Sequence, residues 1–390
     1  MQIRNALVVG AGIGGLTAAI ALARRGVAVT VLEQAPAIRE VGAGLQVSPN
    51  GLFVLRALGL EKRLQERGAV RGRAVVMRSF DREEDLARLD LTLLPTGQAY
   101  FFMHRADLVD VLARAAREHN VTFEMGVQVR DVQTGDMPEL TLTDGTTRRA
   151  ELIVGADGIH SRARIALNGA DDAAFTGQVA WRATVANRFG HGNHAMVTMG
   201  AGRHLVSYPL RGGDMVNLVA VEERKSWAAE GWNHADDPAN LRAAFAGWGG
   251  IAGEMIDAVE APTLWGLHRH PVAEVWQQGG VALLGDAAHP TLPFLAQGAN
   301  MAMEDAWALA DTVLRGGVAA LPAYQAMRKP RVIKVIKAAE GNAWRFHLKP
   351  GPVRFAAHSV IRLGGRFAPK RMLGAFDWLY GFDVTARTPR

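Results

Sequence analysis

The chain has 390 residues, of which 49% are hydrophobic and 21% charged, a composition that is ordinary for folded domains and excludes intrinsic disorder. It contains no cysteine, so disulfides, thiolate metal sites, iron–sulfur clusters and a cysteine nucleophile are excluded. The net charge is only +6, and the length predicts roughly two or three structural units.

The positive charge is concentrated near the end of the sequence. Residues 326–390 contain 14 basic and 3 acidic residues, which leaves the remainder net negative. A basic segment can bind nucleic acid, but no helix-turn-helix, zinc-finger or aromatic RNA-binding signature accompanies it. We therefore favour a solvated helical layer and expect no nucleic-acid partner.

An uncharged run over Ala6–Ala23 superficially resembles a signal peptide or a membrane helix. Glycines in its centre would lower its helix propensity, and the Arg24-Arg25 pair follows the run instead of preceding it. The sequence therefore predicts a soluble cytoplasmic protein without a membrane span.

The first elements are predicted to form a βαβ unit. A strand (Ala6–Val9), a glycine turn (Gly10–Gly15), a helix (Leu16–Arg25) and a second strand (Val27–Leu32) follow one another. Such a unit implies two parallel strands with a right-handed crossover.

Further along, an amphipathic helix is predicted over Asp107–His119, and Asp144-Gly145 is typical of a hairpin turn. Short buried strands are predicted at Leu152–Val154 and Val281–Leu284. A helix is predicted over Met301–Leu314, with more helix beyond Leu321 that proline and glycine interrupt.

Between Thr176 and Glu222 the pattern changes to alternating segments joined by glycine-rich turns. The segments Val179–Ala186, His204–Pro209 and Met215–Val221 predict antiparallel sheet. A dinucleotide-type domain interrupted by a sheet-rich insertion is therefore expected.

The glycine turn is a G-x-G-x-x-G motif. Gly10 permits the tight turn, Gly12 lets the backbone approach a pyrophosphate, and Gly15 allows the helix to pack closely on the strand. Glu33 ends the second strand, where a carboxylate can accept hydrogen bonds from a ribose diol. A dinucleotide site is therefore predicted, but this motif alone leaves FAD and NAD open.

Two aspartates favour FAD. Asp157 and Asp286 each follow a buried strand, at the edge where α/β sheets bind ligands. Either residue alone is equally typical of a turn or helix cap. Two aspartates, each at the carboxyl end of a buried strand, favour an extended flavin dinucleotide that stays bound to the protein.

These motifs resemble the class A FAD-dependent aromatic hydroxylases, which are single-component flavoprotein monooxygenases. The resemblance rests on GAGIGGLTAAIALARRG with Glu33, on GADGIHSRAR (Gly155–Arg164) and on GDAAHPTLPFLAQGANMAMEDA (Gly285–Ala306). Within the family it is greatest to enzymes that act on 3-hydroxybenzoate, salicylate and 6-hydroxynicotinate.

The resemblance implies an α/β fold of the 4-hydroxybenzoate hydroxylase type, with a Rossmann-like FAD-binding domain, an inserted antiparallel-sheet substrate domain and C-terminal helices. The FAD-binding domain would be discontinuous, over residues 1–70, 100–175 and 270–345. Residues 71–99 and 176–269 would form the substrate domain, and 346–390 the C-terminal helical segment.

The resemblance also implies residues for tightly bound FAD. It assigns Glu33 to the adenosine ribose, Val129 to the adenine through its backbone, Arg105 to the phosphate–ribityl region and Asp286 to the ribityl or pyrophosphate. The other residues assigned to the cofactor are Gly10, Gly12, Gly14, Gly15, Gln34, Asp157 and, at the pyrimidine edge of the flavin, the backbone of Gly298, Ala299 and Asn300.

The implied reaction uses NADH or NADPH and O₂, and proceeds through a flavin C4a-hydroperoxide that hydroxylates a small anionic phenolic or hydroxy-N-heteroaromatic acid. The period of two places His204 and Tyr208 on one face of a strand. The resemblance makes both catalytic, and an imidazole with an unperturbed pKa of ~6.5 suits a base that removes the phenol proton.

Three further residues are candidates for the substrate pocket. Pro293 and Phe294 stand where related enzymes carry Gln and His, so this pocket is expected to be more apolar. Tyr100 is a pocket candidate for which core packing is an equally good interpretation.

Metal binding at His268-x-His270 is disfavoured because no third acidic ligand is near in sequence, so no metal is expected. Two rivals remain open: a flavin reductase or epoxidase of the same fold acting on a non-aromatic or larger substrate, and a flavin-dependent binding or regulatory protein. The sequence does not distinguish NADH from NADPH, or a monomer from a homodimer.

Overall fold

The computed structural model describes residues 3–38, 43–81, 85–224 and 234–386, apart from the side chains of residues 342–344. In these ranges the strands are, in chain order, β1 (Asn5–Val9), β2 (Ala28–Glu33), β3 (Gly44–Val47), β4 (Val70–Arg71), β5 (Ala74–Ser79), β6 (Asp85–Asp90), β7 (Phe101–His104), β8 (Thr122–Met125), β9 (Val129–Gln133), β10 (Glu139–Leu142), β11 (Thr147–Arg149), β12 (Leu152–Gly155), β13 (Ala174–Ala186), β14 (His194–Gly200), β15 (Arg203–Leu210), β16 (Met215–Glu223), β17 (His234–Ala235), β18 (Thr263–Arg269), β19 (Gln277–Gln278) and β20 (Val281–Leu283).

The α-helices of the same ranges are α1 (Ile13–Ala23), α2 (Pro49–Ala57), α3 (Glu61–Glu66), α4 (Arg105–Glu118), α5 (Arg162–Asn168), α6 (Pro238–Ala244), α7 (Gly250–Asp257), α8 (Gly298–Gly316), α9 (Leu321–Phe346), α10 (Pro352–Phe367), α11 (Pro369–Gly374) and α12 (Asp377–Tyr380). None of the described helices is long and apolar enough to cross a membrane.

The first sheet is the predicted nucleotide-type sheet. Its strand order is β19-β20-β12-β1-β2-β8, and its strands are parallel except for β19 at one edge. The central strands are almost wholly buried, as expected of a parallel sheet that is covered on both faces. Helix α1 is also buried on nearly all sides and packs against α4 and α8.

The second large sheet contains the alternating segments, in the order β17-β18-β13-β16-β15-β14-β5-β6. It is mixed, because β14 pairs in parallel with β5 while the other neighbours are antiparallel. The sequence-based prediction missed β14 and assumed a purely antiparallel sheet. The parallel pairing joins strands more than one hundred residues apart, from Ala74↔His194 to Ser79↔Met199, which a local pattern cannot reveal.

Helix α9 also differs from the sequence-based prediction, because it continues through Pro330 where an interruption was expected. A proline inside a helix removes one backbone hydrogen bond. The buried side chains of Tyr324, Arg328, Val332 and Val335 lie on both sides of Pro330. Their packing holds the helix together across the proline.

A buried ion cluster joins α8 to α9. Arg328 of α9 contacts Glu304 through Nη1 at 2.6 Å and Asp305 through Nε at 2.7 Å, and all three side chains are fully buried. Asp305 also accepts a hydrogen bond from the backbone N–H of Gly285 at 3.1 Å and contacts His289 Nε2 at 2.5 Å. Burial would raise the pKa of Asp305, but His289 and Arg328 hold it at about 2.

Replacing Arg328 tests how much this cluster contributes to the stability of the fold. In Arg328→Met two buried carboxylates lose their shared cation, and we expect the free energy of unfolding to fall by about 3 kcal/mol or more. Chemical denaturation of the purified protein measures the loss. Lys329→Met is the matched control: its partner Glu274 is exposed, so it should cost less than about 1 kcal/mol. Equal small losses in both variants would contradict a structural role for the cluster.

Candidate active site

A long cleft follows the carboxyl ends of β1, β12 and β20. It consists of a larger cavity of about 920 Å³ and a smaller one of about 480 Å³, which share Gly12, Ala156 and Gly158 in their walls. Carboxyl ends of parallel strands are the usual ligand-binding edge of an α/β sheet. The shape suits an extended ligand that lies across the first sheet.

The glycine turn forms the middle of this cleft. Gly10 has a φ of +100°, and a Cβ there would lie 2.5 Å from the Ala156 oxygen. A Cβ on Gly15 would collide with the Gly10 oxygen, and one on Gly14 would lie 2.6 Å from Leu284 Cδ1. At Gly12 a Cβ would meet nothing within 4 Å, so backbone here borders open space. Helix α1 begins directly behind it and can present its N–H groups to a phosphate.

Glu33 lies in the smaller cavity, which Gln34 and Val129 also line. Its two carboxylate oxygens accept hydrogen bonds from the backbone N–H of Ala11 at 2.8 Å and of Ala35 at 2.9 Å. These bonds fix the carboxylate beside the glycine turn. Each oxygen keeps a further lone pair for a ligand hydroxyl.

The two predicted aspartates have different surroundings. Asp157 borders the smaller cavity, but its carboxylate already accepts hydrogen bonds from the Ser161 hydroxyl and from the Arg162 backbone N–H at 2.7 Å. Asp286 lines the larger cavity with Arg105. Burial raises the pKa of Asp286, and the nearby Arg105 charge partly opposes this rise. Asp157 therefore has the capping arrangement, whereas Asp286 faces the cleft.

The N-terminus of α8 reaches the larger cavity, where Gly298 and Ala299 line the wall. The side chain of Asn300 is buried and donates hydrogen bonds to the Gln46 and Ala296 carbonyls, both at 2.9 Å. Asn300 itself is fully buried and is not among the residues that line the two cavities. The partial positive charge of a helix N-terminus favours a ligand that carries negative charge.

One face of the second sheet forms the floor of the larger cavity. Residues that pair directly across neighbouring strands have their side chains on the same face of a sheet. Two such rows of side chains cross the second sheet from strand to strand. The first consists of Trp265, Ala180, Val221, His204 and Met199, and the second of Arg182, Val219, Val206, Val197 and Met77. Tyr208 lines the same cavity two residues beyond Val206. The floor is thus mostly apolar, with Arg182, His204 and Tyr208 as its strongly polar side chains.

His204 is only 2% exposed, and its Nδ1 lies 2.6 Å from His347 Nε2. His347 in turn places Nδ1 2.9 Å from Glu223 Oε1. Burial, with a smaller contribution from His347, lowers the pKa of His204 well below its ordinary value. The sequence-based expectation of an unperturbed imidazole is therefore wrong, because burial makes the charged ring costly.

Tyr208 and Tyr100 are both buried and line the larger cavity. Tyr208 stacks on Phe102 with ring centroids 5.4 Å apart, and burial raises its pKa although Arg182 opposes the rise. Tyr100 donates its hydroxyl hydrogen to Gln46 Oε1 at 2.7 Å. Tyr100 is thus part of the core and of the cavity wall at the same time.

The remaining walls come from the Pro293–Leu295 turn and from the C-terminal helices. Pro293 and Phe294 both border the larger cavity, and the Phe294 ring centroid lies 5.8 Å from that of His204. His358 of α10 and Tyr380 of α12 line the cavity as well.

Sequence reasoning missed three polar residues of this site. Arg182 lies in an alternating strand, but only the sheet register shows that it faces the cavity. His347 and Glu223 approach His204 from segments that are far away in sequence. No local signal marks any of the three.

The cleft fits a flavin dinucleotide. Gly12 offers backbone beside open space, Glu33 is held in place to accept from a ribose, and the α8 N-terminus can face an electron-rich ring. A family model described as an FAD binding domain matches residues 4–339.

Among curated proteins, the chain is similar to a 3-amino-4-hydroxybenzoate 2-monooxygenase of Streptomyces platensis, with 36% identity over 97% of this chain and 96% of that protein. It is also 34% identical to a 3-hydroxybenzoate 6-hydroxylase of Polaromonas naphthalenivorans, over 97% and 96% of the two chains. Among solved structures, it resembles HpxO of Klebsiella pneumoniae complexed with FAD, with a TM-score of 0.84, 28% identity and coverage of 96% and 97%. The predicted fold class and the predicted cofactor, FAD, are confirmed.

Glu33→Arg should abolish FAD retention. It replaces an anchored acceptor with a cation that cannot accept a hydrogen bond from a ribose. The ratio of flavin absorbance to protein after purification measures the effect. Glu124→Arg, on the adjacent strand β8 and outside both cavities, should retain FAD. Normal flavin occupancy in Glu33→Arg would remove Glu33 from the cofactor site.

Proposed function

The chain belongs to the family of FAD-dependent monooxygenases, and from this premise we propose that it hydroxylates a small anionic phenolic or hydroxy-N-heteroaromatic acid with O₂ and NADH or NADPH. Bound FAD supplies the redox chemistry, because it takes electrons from the nicotinamide and activates O₂. The two curated relatives named above are a monooxygenase and a hydroxylase of substituted hydroxybenzoates. The observation that carries the proposal is the apolar floor with Arg182, His204 and Tyr208 on it.

For the cofactor we propose the following division of contacts. Glu33 and Gln34 bind the adenosine ribose end, with Val129 beside the adenine and the glycine turn at the pyrophosphate. Arg105 and Asp286 bind the ribityl–phosphate region, and Asp157 shapes the turn behind it. The backbone N–H groups of Gly298, Ala299 and Asn300 stabilise negative charge on the flavin.

The floor supports an aromatic acid as substrate. An aromatic ring can pack on Val206, Val219 and their apolar neighbours. Arg182 lines the larger cavity, with its guanidinium 4.3 Å from the centre of the Trp265 ring, and so supplies a positive charge beside the ring site. We propose that Arg182 pairs with the substrate carboxylate and that Pro293 and Phe294 exclude water from the ring.

His204 is the proposed base for the substrate hydroxyl. Removing the phenol proton makes the ring more nucleophilic when oxygen is transferred. Because burial lowers its pKa, His204 stays neutral near pH 7 and able to accept a proton. Tyr208, on the same strand face, orients the bound acid through its hydroxyl.

A substrate screen tests the proposal. Hydroxybenzoates, salicylate and hydroxypyridine carboxylates should stimulate NAD(P)H oxidation and yield hydroxylated products, because the cavity provides both a ring site and a cation. The matched carboxamides should stimulate poorly, and this preference for the acid should disappear in Arg182→Leu. A rate of NAD(P)H oxidation that no aromatic acid increases would favour the flavin reductase or epoxidase alternative.

His204→Ala should uncouple the enzyme. Loss of a positioned base costs about 10²–10⁴-fold in the step that it serves, whereas flavin reduction does not need that base. Product formed per NAD(P)H should therefore collapse while H₂O₂ rises, and the deficit should ease at high pH where the phenol ionises unaided. Tyr208→Phe should mainly raise KM, since it keeps the ring. Unchanged coupling in His204→Ala from about pH 6 to 9 would make His204 a structural residue.

A further inference from the structure

The starting observation is a continuous line of hydrogen bonds that leads from the cavity to the protein surface. His204 Nδ1 is 2.6 Å from His347 Nε2, and His347 Nδ1 is 2.9 Å from Glu223 Oε1. The side chain of His347 is 2% exposed, whereas that of Glu223 is 48% exposed. The line therefore begins at a buried ring in the cavity wall and ends at a carboxylate in contact with water.

We propose that His204, His347 and Glu223 form a proton relay that carries the substrate phenol proton from the cavity to the protein surface. This inference rests on the proposed hydroxylation and deepens it, because it assigns the exit path of the proton and two residues beyond the base. His347 and Glu223 do not line the cavity. They act through His204 and are positioning residues, not catalytic ones.

Glu223 fixes the tautomers of both rings. A carboxylate only accepts, so the hydrogen between His347 and Glu223 is on His347 Nδ1. In a neutral ring Nε2 of His347 is then an acceptor, and the hydrogen in the next bond is on His204 Nδ1. The acceptor nitrogen left on His204 is Nε2, the one ring nitrogen that remains for a substrate.

The transfer leaves no lasting charge on either histidine. The substrate O–H bond breaks as an N–H bond forms at His204 Nε2, while the Nδ1 proton of His204 moves to His347 Nε2. The Nδ1 proton of His347 moves to Glu223, which releases it to water. The substrate becomes a phenolate and one proton enters solvent. The original tautomers return when a proton from water enters at Glu223 and the line runs in reverse, which passes the Nε2 proton of His204 to the phenolate oxygen of the hydroxylated product.

The surroundings explain why a relay is needed. Burial lowers the pKa of both histidines, so a proton held on His204 would be unfavourable. The rings of Phe294 and Phe346 lie beside His204, with centroids 5.8 and 5.2 Å from that of the imidazole, and offer no acceptor. The neighbouring Glu222 is paired with Arg224 instead. Arg345, two residues before His347, also lines the cavity, but a guanidinium has only donors and cannot accept the proton.

The decisive variant is His347→Gln. A glutamine can accept from His204 Nδ1–H through its carbonyl and donate to Glu223 through its amide, so it preserves the geometry, but it cannot pass a proton on. Glu223→Gln tests the outer end, because its carbonyl still accepts from His347 but takes up no proton. Glu222→Gln is the matched control, one residue away and outside the line.

Two measurements on the FAD-loaded protein are needed. The first is proton release, followed in stopped flow with a pH indicator when the oxidised enzyme is mixed with the hydroxybenzoate that stimulates NAD(P)H oxidation most. The second is hydroxylated product per NAD(P)H as a function of pH. In His347→Gln and Glu223→Gln we expect proton release at least about tenfold slower and lower coupling, with recovery at high pH. Glu222→Gln should match the unmodified protein, and all variants should keep their FAD.

The outcomes separate the two proposals. The relay is wrong, and the proposed function stands, if the unmodified protein hydroxylates the acid and His347→Gln releases protons and couples NAD(P)H oxidation to product as the unmodified protein does. An unmodified protein that no aromatic acid stimulates would overturn the proposed function and the relay with it. If His347→Gln loses FAD or does not fold, the surface variant Glu223→Gln decides, and normal proton release in it rejects the relay.

Discussion

Asp305 is the group on which the geometry of the cleft depends. Its carboxylate holds the Gly285 N–H, the His289 ring and the Arg328 guanidinium at once, all without access to water. Gly285 precedes Asp286 in the turn after β20, and His289 begins the loop that leads to Pro293 and Phe294. The buried Asp305 carboxylate therefore fixes the position of two parts of the cleft relative to α8: the turn with Asp286, which is the proposed ribityl contact, and the apolar wall with Pro293 and Phe294. Such an anion is tolerated only because cationic partners and hydrogen bonds compensate its burial, which explains why Arg328 is enclosed in the same core.

The larger cavity lies where two sheets of different character meet. The parallel sheet contributes strand ends, where backbone N–H groups and loops can bind an anionic dinucleotide. The mixed sheet contributes a flat face, where rows of valine and methionine side chains leave room above them. A polar group on such a face is costly unless it is bonded. Two polar side chains on this apolar face are therefore exceptions, and packing alone does not explain their presence. They are Arg182, which stacks on Trp265, and His204, which is hydrogen-bonded to His347.

The sequence predicted those parts of the molecule whose determinants are local. The glycine turn, Glu33 and the strand containing His204 and Tyr208 follow from spacing, because the turn and the period of two act over a few residues. The strand β14 escaped prediction since its partner β5 lies far away in the chain and pairs in parallel. Arg182 and His347 escaped for the same reason: the first depends on the sheet register and the second on a contact across 143 positions. The lowered pKa of His204 likewise arises from burial, which no single strand encodes.

The position of His347 connects the closing of the cavity to the chemistry proposed inside it. His347 lies directly after α9, and the helices that follow it supply a wall of the larger cavity through His358 and Tyr380. The backbone of the same residue accepts a hydrogen bond from Gly202 N at 3.2 Å, in the turn between β14 and β15. Docking of the C-terminal segment thus covers part of the ring site and, with the same segment, brings an acceptor to the proposed base. A hydrogen-bonded line through the cavity wall gives the substrate proton a fixed way to the surface, and the segment that covers the ring site is the one that completes this line.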